Sequence, residues 1–272
     1  MKTGLLKRIG IASALGLALA SRAPSLDFKC TGDLSWDFFG ASDASLSESA
    51  RLVPIHPSDT YALAKNNGPV KDVLNSITSQ TIKLRVGVEA EHKQLQAGLG
   101  LGFGFSVYNY AKEGSGFAER NYTNAPGTSQ RGYGAALTYI SLNENGTSGF
   151  VVNPFFRLGY QIKGKDSDYN LFAEYSPEIT SFSTDLNVGY DRWNKHELLE
   201  TRKLKTNFIN HFLKFGIGFR LKETDPNFGL TPEIYVGISN PQFGDKEQGI
   251  KFGRGYTLGV TVRVDAAKLL KH

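Results

Sequence analysis

The chain has 272 residues, mean hydropathy −0.28, a formal charge of +5 and one cysteine. That hydropathy excludes a bundle of membrane-spanning helices, and a single Cys30 excludes an intrachain disulfide or a cysteine-based metal site. Lys2, Lys7 and Arg8 account for three units of the net charge of +5, so the basic balance argues for no nucleic-acid partner.

Residues 1–20 carry a basic head, an apolar run from Ile9 to Ala20 and the small-x-small end Ala18-Leu19-Ala20. This is the pattern of a secretory signal peptide, and the run is too short to span a membrane as a helix. Residues 21–272 are then expected to form one domain. A first strand is predicted over 26–39, with Leu26, Phe28, Cys30, Leu34, Trp36 and Phe38 on one parity and Asp27, Lys29, Asp33 and Asp37 on the other. Residues 40–80 are polar and broken by Pro54, Pro57 and Pro69. They are expected to form a long loop, with a helical turn over 70–77.

The strongest pattern runs over 81–110. Ile82, Leu84, Val86 and Val88 alternate with Lys83, Arg85, Gly87 and Glu89. Leu99, Leu101, Phe103, Phe105 and Val107 then alternate with Gly98, Gly100, Gly102, Gly104 and Ser106. A period of two puts alternate side chains on opposite faces of a strand, so this is a hairpin with one apolar and one polar face. A turn at His92-Lys93 would set Arg85 opposite Gly100, Lys83 opposite Gly102 and Glu89 opposite Gln96. Strands this long, apolar on one face and charged on the other, are accommodated by a closed barrel with lipid outside and a polar lumen.

Further along, residues 111–131 read as a second long loop. Strands are predicted over 132–142, 149–163, 169–176, 182–193, 207–221, 230–239 and 254–264. The Asn145-Gly146 turn and a turn at Pro177-Glu178 separate neighbouring strands. Residues 194–206 and 240–253 are read as loops. The fold expected is an all-β, closed antiparallel transmembrane β-barrel of about ten strands, eight or twelve being the alternatives. Its outer loops are long and its periplasmic turns short, 164–168 being the exception. Trp36, Phe38, Tyr108, Tyr110, Tyr133, Tyr190 and Trp193 gather at the predicted outer ends, as an interfacial belt would.

Residues 257–264 (Thr257-Leu258-Gly259-Val260-Thr261-Val262-Arg263-Val264) match the polar-x-Gly-x-x-hydrophobic-x-hydrophobic pattern of the β-signal, with Thr257, Gly259, Val262 and Val264 at its fixed positions. Residues 214–221 fit it too. On these residues the chain resembles the small bacterial outer-membrane β-barrel proteins over almost all of its mature length. It departs from them by continuing through 266–272, where such chains end on an aromatic residue.

The resemblance implies export to the outer membrane of a Gram-negative-type bacterium, contact with outer-membrane lipid and recognition by the barrel-insertion machinery. Lys83, Arg85, Glu89, Arg157, Lys163, Lys214, Arg220 and Arg263 are the candidate lumen-facing charges, forming either a salt-bridge network or a porin-like path for a small solute or ion. Other charges assigned to the lumen include Glu174, Asp185, Asp191 and Glu233. The alternatives are an interaction protein acting through the loops 40–80 and 111–131, a barrel hydrolase, and a soluble ligand-binding barrel with the opposite sidedness. Asp191, His196 and His211 lie near the outer end, where omptin proteases carry Asp and His, but their spacing matches no catalytic motif. The expectation is therefore no enzyme, no cofactor and no metal. Asp166, Asp168 and Asp225 fall short of a calcium loop.

Overall fold

The computed structural model describes residues 27–47, 74–112, 116–119, 137–142, 147–192, 195–221, 230–244 and 249–265. The expected signal peptide (1–20) and much of both long loops lie outside these residues. The wall is built from β1 (Asp27–Ala41), β3 (Leu74–His92), β4 (Leu95–Lys112), β7 (Thr147–Lys163), β8 (Ser167–Arg192), β9 (Lys195–Leu221), β10 (Thr231–Phe243) and β12 (Gly255–Asp265). Each pairs antiparallel with the next, and β12 pairs with β1 to close a ring of eight. Three small strands lie among the connections at one end: β2 (Ala44–Leu46), β5 (Gly116–Glu119) and β6 (Leu137–Leu142). A fourth, β11 (Ile250–Phe252), pairs with β2.

Among the described residues the ring has eight strands, the lower of the two alternatives to ten. The segments 169–176 and 182–193 are one strand, because β8 runs through Pro177 and Glu178 without turning and pairs with β9 along its whole length. The segment 132–142 is not in the wall: its described part, β6, pairs with β5 and with the outer end of β8. With eight strands the short link at 164–168 joins the other short connections, at the end opposite the long ones. Residues 74–80 are strand rather than loop or helix, 116–119 is a strand inside the second predicted loop, and 195–206 belongs to β9.

The β3–β4 hairpin keeps the predicted parity but is shifted by two residues. Its turn is Lys93-Gln94, with Lys93 at φ 57°, the left-handed conformation that two-residue hairpin turns demand. Arg85 therefore faces Gly102, Lys83 faces Gly104 and Glu89 faces Gly98.

Outside the wall, apolar side chains form a continuous exposed belt: Leu84 is 68% exposed, Phe105 66% and Val236 60%, with Leu158, Phe215 and Leu258 beside them. Water would not tolerate so large an apolar surface, whereas lipid requires it. On β7 the belt runs from Phe150 to Ile162. Twelve steps of about 3.3 Å, foreshortened by a tilt of about 40°, give ~30 Å, the thickness of a bilayer's hydrocarbon core.

Above the belt the sidedness reverses. Thr78 and Gln80 on β3, Asn109 on β4, Ser181 on β8 and Lys203, Lys205 and Asn207 on β9 face outward and are exposed. Inside, Phe39, Leu46, Ile77, Tyr108, Phe182, Leu186, Leu204, Phe208, Phe212, Ile250 and Phe252 pack as one buried cluster. Tyr108 stacks on Phe182 with centroids 4.5 Å apart, and so belongs to this core rather than to an interfacial belt. Tyr110, half-buried, packs against the same cluster. Trp36 and Phe38 do face lipid; Tyr133 and Trp193 lie outside the described residues. The β8–β9 hairpin continues ten residues past its last partner on β7, a reach of ~30 Å.

Candidate functional site: the ionic lumen

Within the belt, the inward positions of seven strands carry five cations (Lys83, Arg85, Arg157, Lys214, Arg263) and six carboxylates (Asp33, Asp37, Glu89, Glu174, Glu178, Glu233), all buried. They pair across the lumen in tiers. Nearest the short-turn end, Arg263 donates to Asp33 (Nε to Oδ1, 3.2 Å) and to Glu89 (Nη1 to Oε2, 2.5 Å). Arg157 grips Glu233 through both terminal nitrogens, at 2.7 and 2.6 Å. Arg85 grips Glu174 in the same way, at 3.1 and 2.6 Å. Further out, Lys83 is paired with both Asp37 and Glu178, while Lys214 lies 3.5 Å from Asp37 and 4.0 Å from Glu174.

Aromatic rings complete the packing. The Arg157 guanidinium lies 3.5 Å from the Phe172 centroid and that of Arg85 3.9 Å from Phe155. Lys214 Nζ lies 4.8 Å from the Tyr235 ring. Fork-to-fork pairing and a ring beneath the Arg85 and Arg157 guanidinium groups help these buried cations to offset lost hydration.

The glycine stripe of β4 is the space these side chains occupy. A Cβ on Gly102 would fall 2.7 Å from Arg85 Cγ, and one on Gly104 2.7 Å from Lys83 Cγ. Gly259 does the same on the closing strand, where an added Cβ would meet the Tyr235 ring and Asp37. Of the other β-signal-like positions, Thr257 faces inward and donates to Phe38 O (3.0 Å), Val262 faces lipid, and Val264 is half-buried beside the inner recess.

The candidate charges fall into two groups. Lys83, Arg85, Glu89, Arg157, Lys214 and Arg263 are in the network. Arg220 lines an open recess at the short-turn end with Glu89 and Gln96, and Lys163 is exposed at that rim, opposite Asp168. Glu178 was missed, because Pro177-Glu178 reads as a turn in the sequence. Asp185 sits on the outward parity, since an uninterrupted β8 never changes the face that its even-numbered residues line.

The residues weighed for catalysis do not converge. Asp191 and His196 are paired positions near the tip of the β8–β9 hairpin, whereas His211 is paired with Pro177, fourteen positions down β8. His211 Nδ1 is hydrogen-bonded to the Tyr175 hydroxyl at 2.7 Å, on the lipid-facing surface. No group of three or more His, Cys, Asp or Glu among the described residues is arranged to hold a metal ion.

No protein-family model matches the chain, and no curated protein does. Among solved structures it is similar to Neisserial surface protein A, at 11% identity and TM-score 0.38, over 89% of this chain and 99% of that one. It is also similar to the outer membrane protease OmpT of Escherichia coli, at 10% identity and TM-score 0.38, over 89% and 98%. A third is the TodX deltaS2S3 mutant monoaromatic hydrocarbon channel, at 9% identity and TM-score 0.30, over 90% and 91%. These likenesses carry no argument about activity; the fold rests on the closed ring, the lipid-facing belt and the polar interior. With all three in place, the chain has the fold of an outer-membrane β-barrel protein.

Proposed function

We propose that the protein is a non-conducting outer-membrane barrel whose stem anchors a surface-exposed β-sheet, and that it works by interaction at that sheet. The observation that carries this reading is the filled lumen: every cation in the membrane-level network is paired or stacked, and an aromatic core lies above it. Eight strands leave an interior just wide enough for side chains, and here that space is taken. Passage of a small solute or ion would require buried pairs to part, at several kcal/mol each.

In this proposal the signal peptide directs export, the insertion machinery reads the β12 segment, and lipid covers the belt. No step of chemistry is assigned to Asp191, His196 or His211. Planar-bilayer conductance of the refolded mature chain tests the reading, with heat-modifiability as the folding control. A folded chain that leaves the bilayer silent is the expected result. A steady single-channel current altered by Arg85→Ala or Lys214→Ala would overturn it in favour of a porin-like path.

A further inference from the structure

The ladder between β7 and β8 is broken inside the lipid belt. Residues 149–152 pair with 182–179, and pairing resumes only at Phe156 with Tyr175. The register is the same on both sides of the gap, which sets Pro154 directly opposite Pro177. Neither has an N–H to donate to the other strand. Instead, Asn153 Nδ2 donates to Pro177 O over 3.1 Å. Asn153 and Ser176 lie within the gap, fully buried, and Asn153 Oδ1 and Ser176 Oγ have no hydrogen-bond partner among the described residues. The adjoining ladders cross this depth intact, β4–β7 from Leu95 to Tyr108 and β8–β9 through Ser176, Pro177 and Glu178.

Above the gap, β8 is tied to β7 by four ladder pairs, 149–152 with 182–179, and by the Thr147 hydroxyl, which donates to Ser183 O. Higher still its partner on that side is β6, at 186–191. On the far side β10 pairs with β9 no further out than Phe208. The outer β8–β9 hairpin is thus a long continuous lever, held at its base on the β7 side by four residue pairs and that hydroxyl above a break.

We infer that the β7–β8 seam is the line along which this wall opens first, from the outer rim down to Phe156 and Tyr175, when the outer hairpin tilts. Glu178 couples the seam to the lumen, because it stands at the gap and holds the Lys83 ammonium. Opening separates that pair, leaves Lys83 to Asp37, and admits water to Asn153 and Ser176. An event at the outer sheet thereby reaches the ionic interior.

Hydrogen–deuterium exchange of the full chain in lipid nanodiscs, read over 149–156 and 175–182 against 81–85 and 101–106, tests this. The expected result is exchange at the seam ~10-fold faster or more than in the β3–β4 peptides. The double variant Pro154→Val/Pro177→Val restores two donors and should bring the seam to the β3–β4 rate. If that variant does not fold, a disulfide between Val151→Cys and Thr180→Cys, facing positions in the ladder, made with Cys30→Ser, should do the same. Glu178→Gln should speed exchange at the seam. Equal protection of the two regions in the unmodified chain overturns the inference, as does fast exchange that the cross-link leaves unchanged. An unaltered rate in Glu178→Gln overturns the coupling.

Discussion

Replacing Arg157 by Met is the sharpest probe of the closed lumen. Arg157 is 2% exposed, holds both Glu233 oxygens at 2.6–2.7 Å and covers the Phe172 ring. Met fills a similar space without the charge. Glu233, itself 2% exposed, is left with Arg263 Nε at 3.9 Å as its nearest cation. Stranding one member of a buried pair costs about 3–5 kcal/mol. The lost cation–π contact adds up to ~2 kcal/mol, part of which the Met side chain recovers by packing on the ring. Glu233→Leu should cost a similar amount by stranding Arg157. The double variant Arg157→Met/Glu233→Leu removes both charges, and its expected stability is within about 1 kcal/mol of the parent, so the double-mutant cycle yields a coupling of about 5 kcal/mol or more. Reversible urea unfolding in phospholipid vesicles, followed by fluorescence and gel shift, gives all four stabilities. Single variants costing under ~1 kcal/mol with no coupling, as exposed pairs do, would mean that water reaches this tier and would refute the closed lumen.

Two further outcomes can be read with the same unfolding assay. Gly104→Val should destabilise by about 1–3 kcal/mol because its Cβ would run into the Ile82 carbonyl oxygen and fall 2.7 Å from Lys83 Cγ, whereas Gly32→Ala, with no neighbouring atom within 4 Å of the new Cβ, should be neutral; equal costs would refute the packing role of the β4 glycines. Leu84→Arg at mid-belt should cost about 2–4 kcal/mol, while Thr78→Arg, six residues further out on the same outward parity of β3, should cost at most ~1 kcal/mol. No difference between these two would mean that the belt's outer edge is misplaced.

Parity was legible in the sequence because lipid tests every second residue. Ile82, Leu84 and Val86 could not share a face with Lys83 and Arg85, so the inward list followed once a membrane was assumed. Strand number was not legible. Pro177-Glu178 looks like a turn, yet a strand passes through it, because β7 presents another proline opposite and Asn153 supplies a side-chain donor. That misread break also reversed the face assigned to Asp185 and hid Glu178. The outer part was lost for a different reason. Residues 195–206 carry Lys203 and Lys205 on the face that lower down is apolar, so they read as a charged loop although Leu204 and Thr206 keep the inward alternation. The two-residue shift at Lys93-Gln94 could not be seen either, since both registers preserve parity.

The change of interior from ionic to aromatic follows from what surrounds each half of the barrel. In the membrane, a strand apolar on both faces would not distinguish lipid from lumen, and a one-residue slip would be nearly free. With Lys83, Arg85 and Lys214 on the inner parity, the same slip sets each into lipid at about 2–4 kcal/mol per charge near mid-depth. The network thus specifies register and sidedness more than it adds net stability, consistent with the small net worth of buried ion pairs. Above the membrane water does the sorting, and the ordinary arrangement returns, with Phe182, Phe208 and Phe252 inside and Lys203, Lys205 and Asn207 outside. The level at which β8 passes from Glu178 through Thr180 to Phe182 on its inner face therefore marks the outer membrane surface. Everything beyond it is a water-adapted sheet on a membrane stem, and in the function proposed above it is that sheet through which the protein acts.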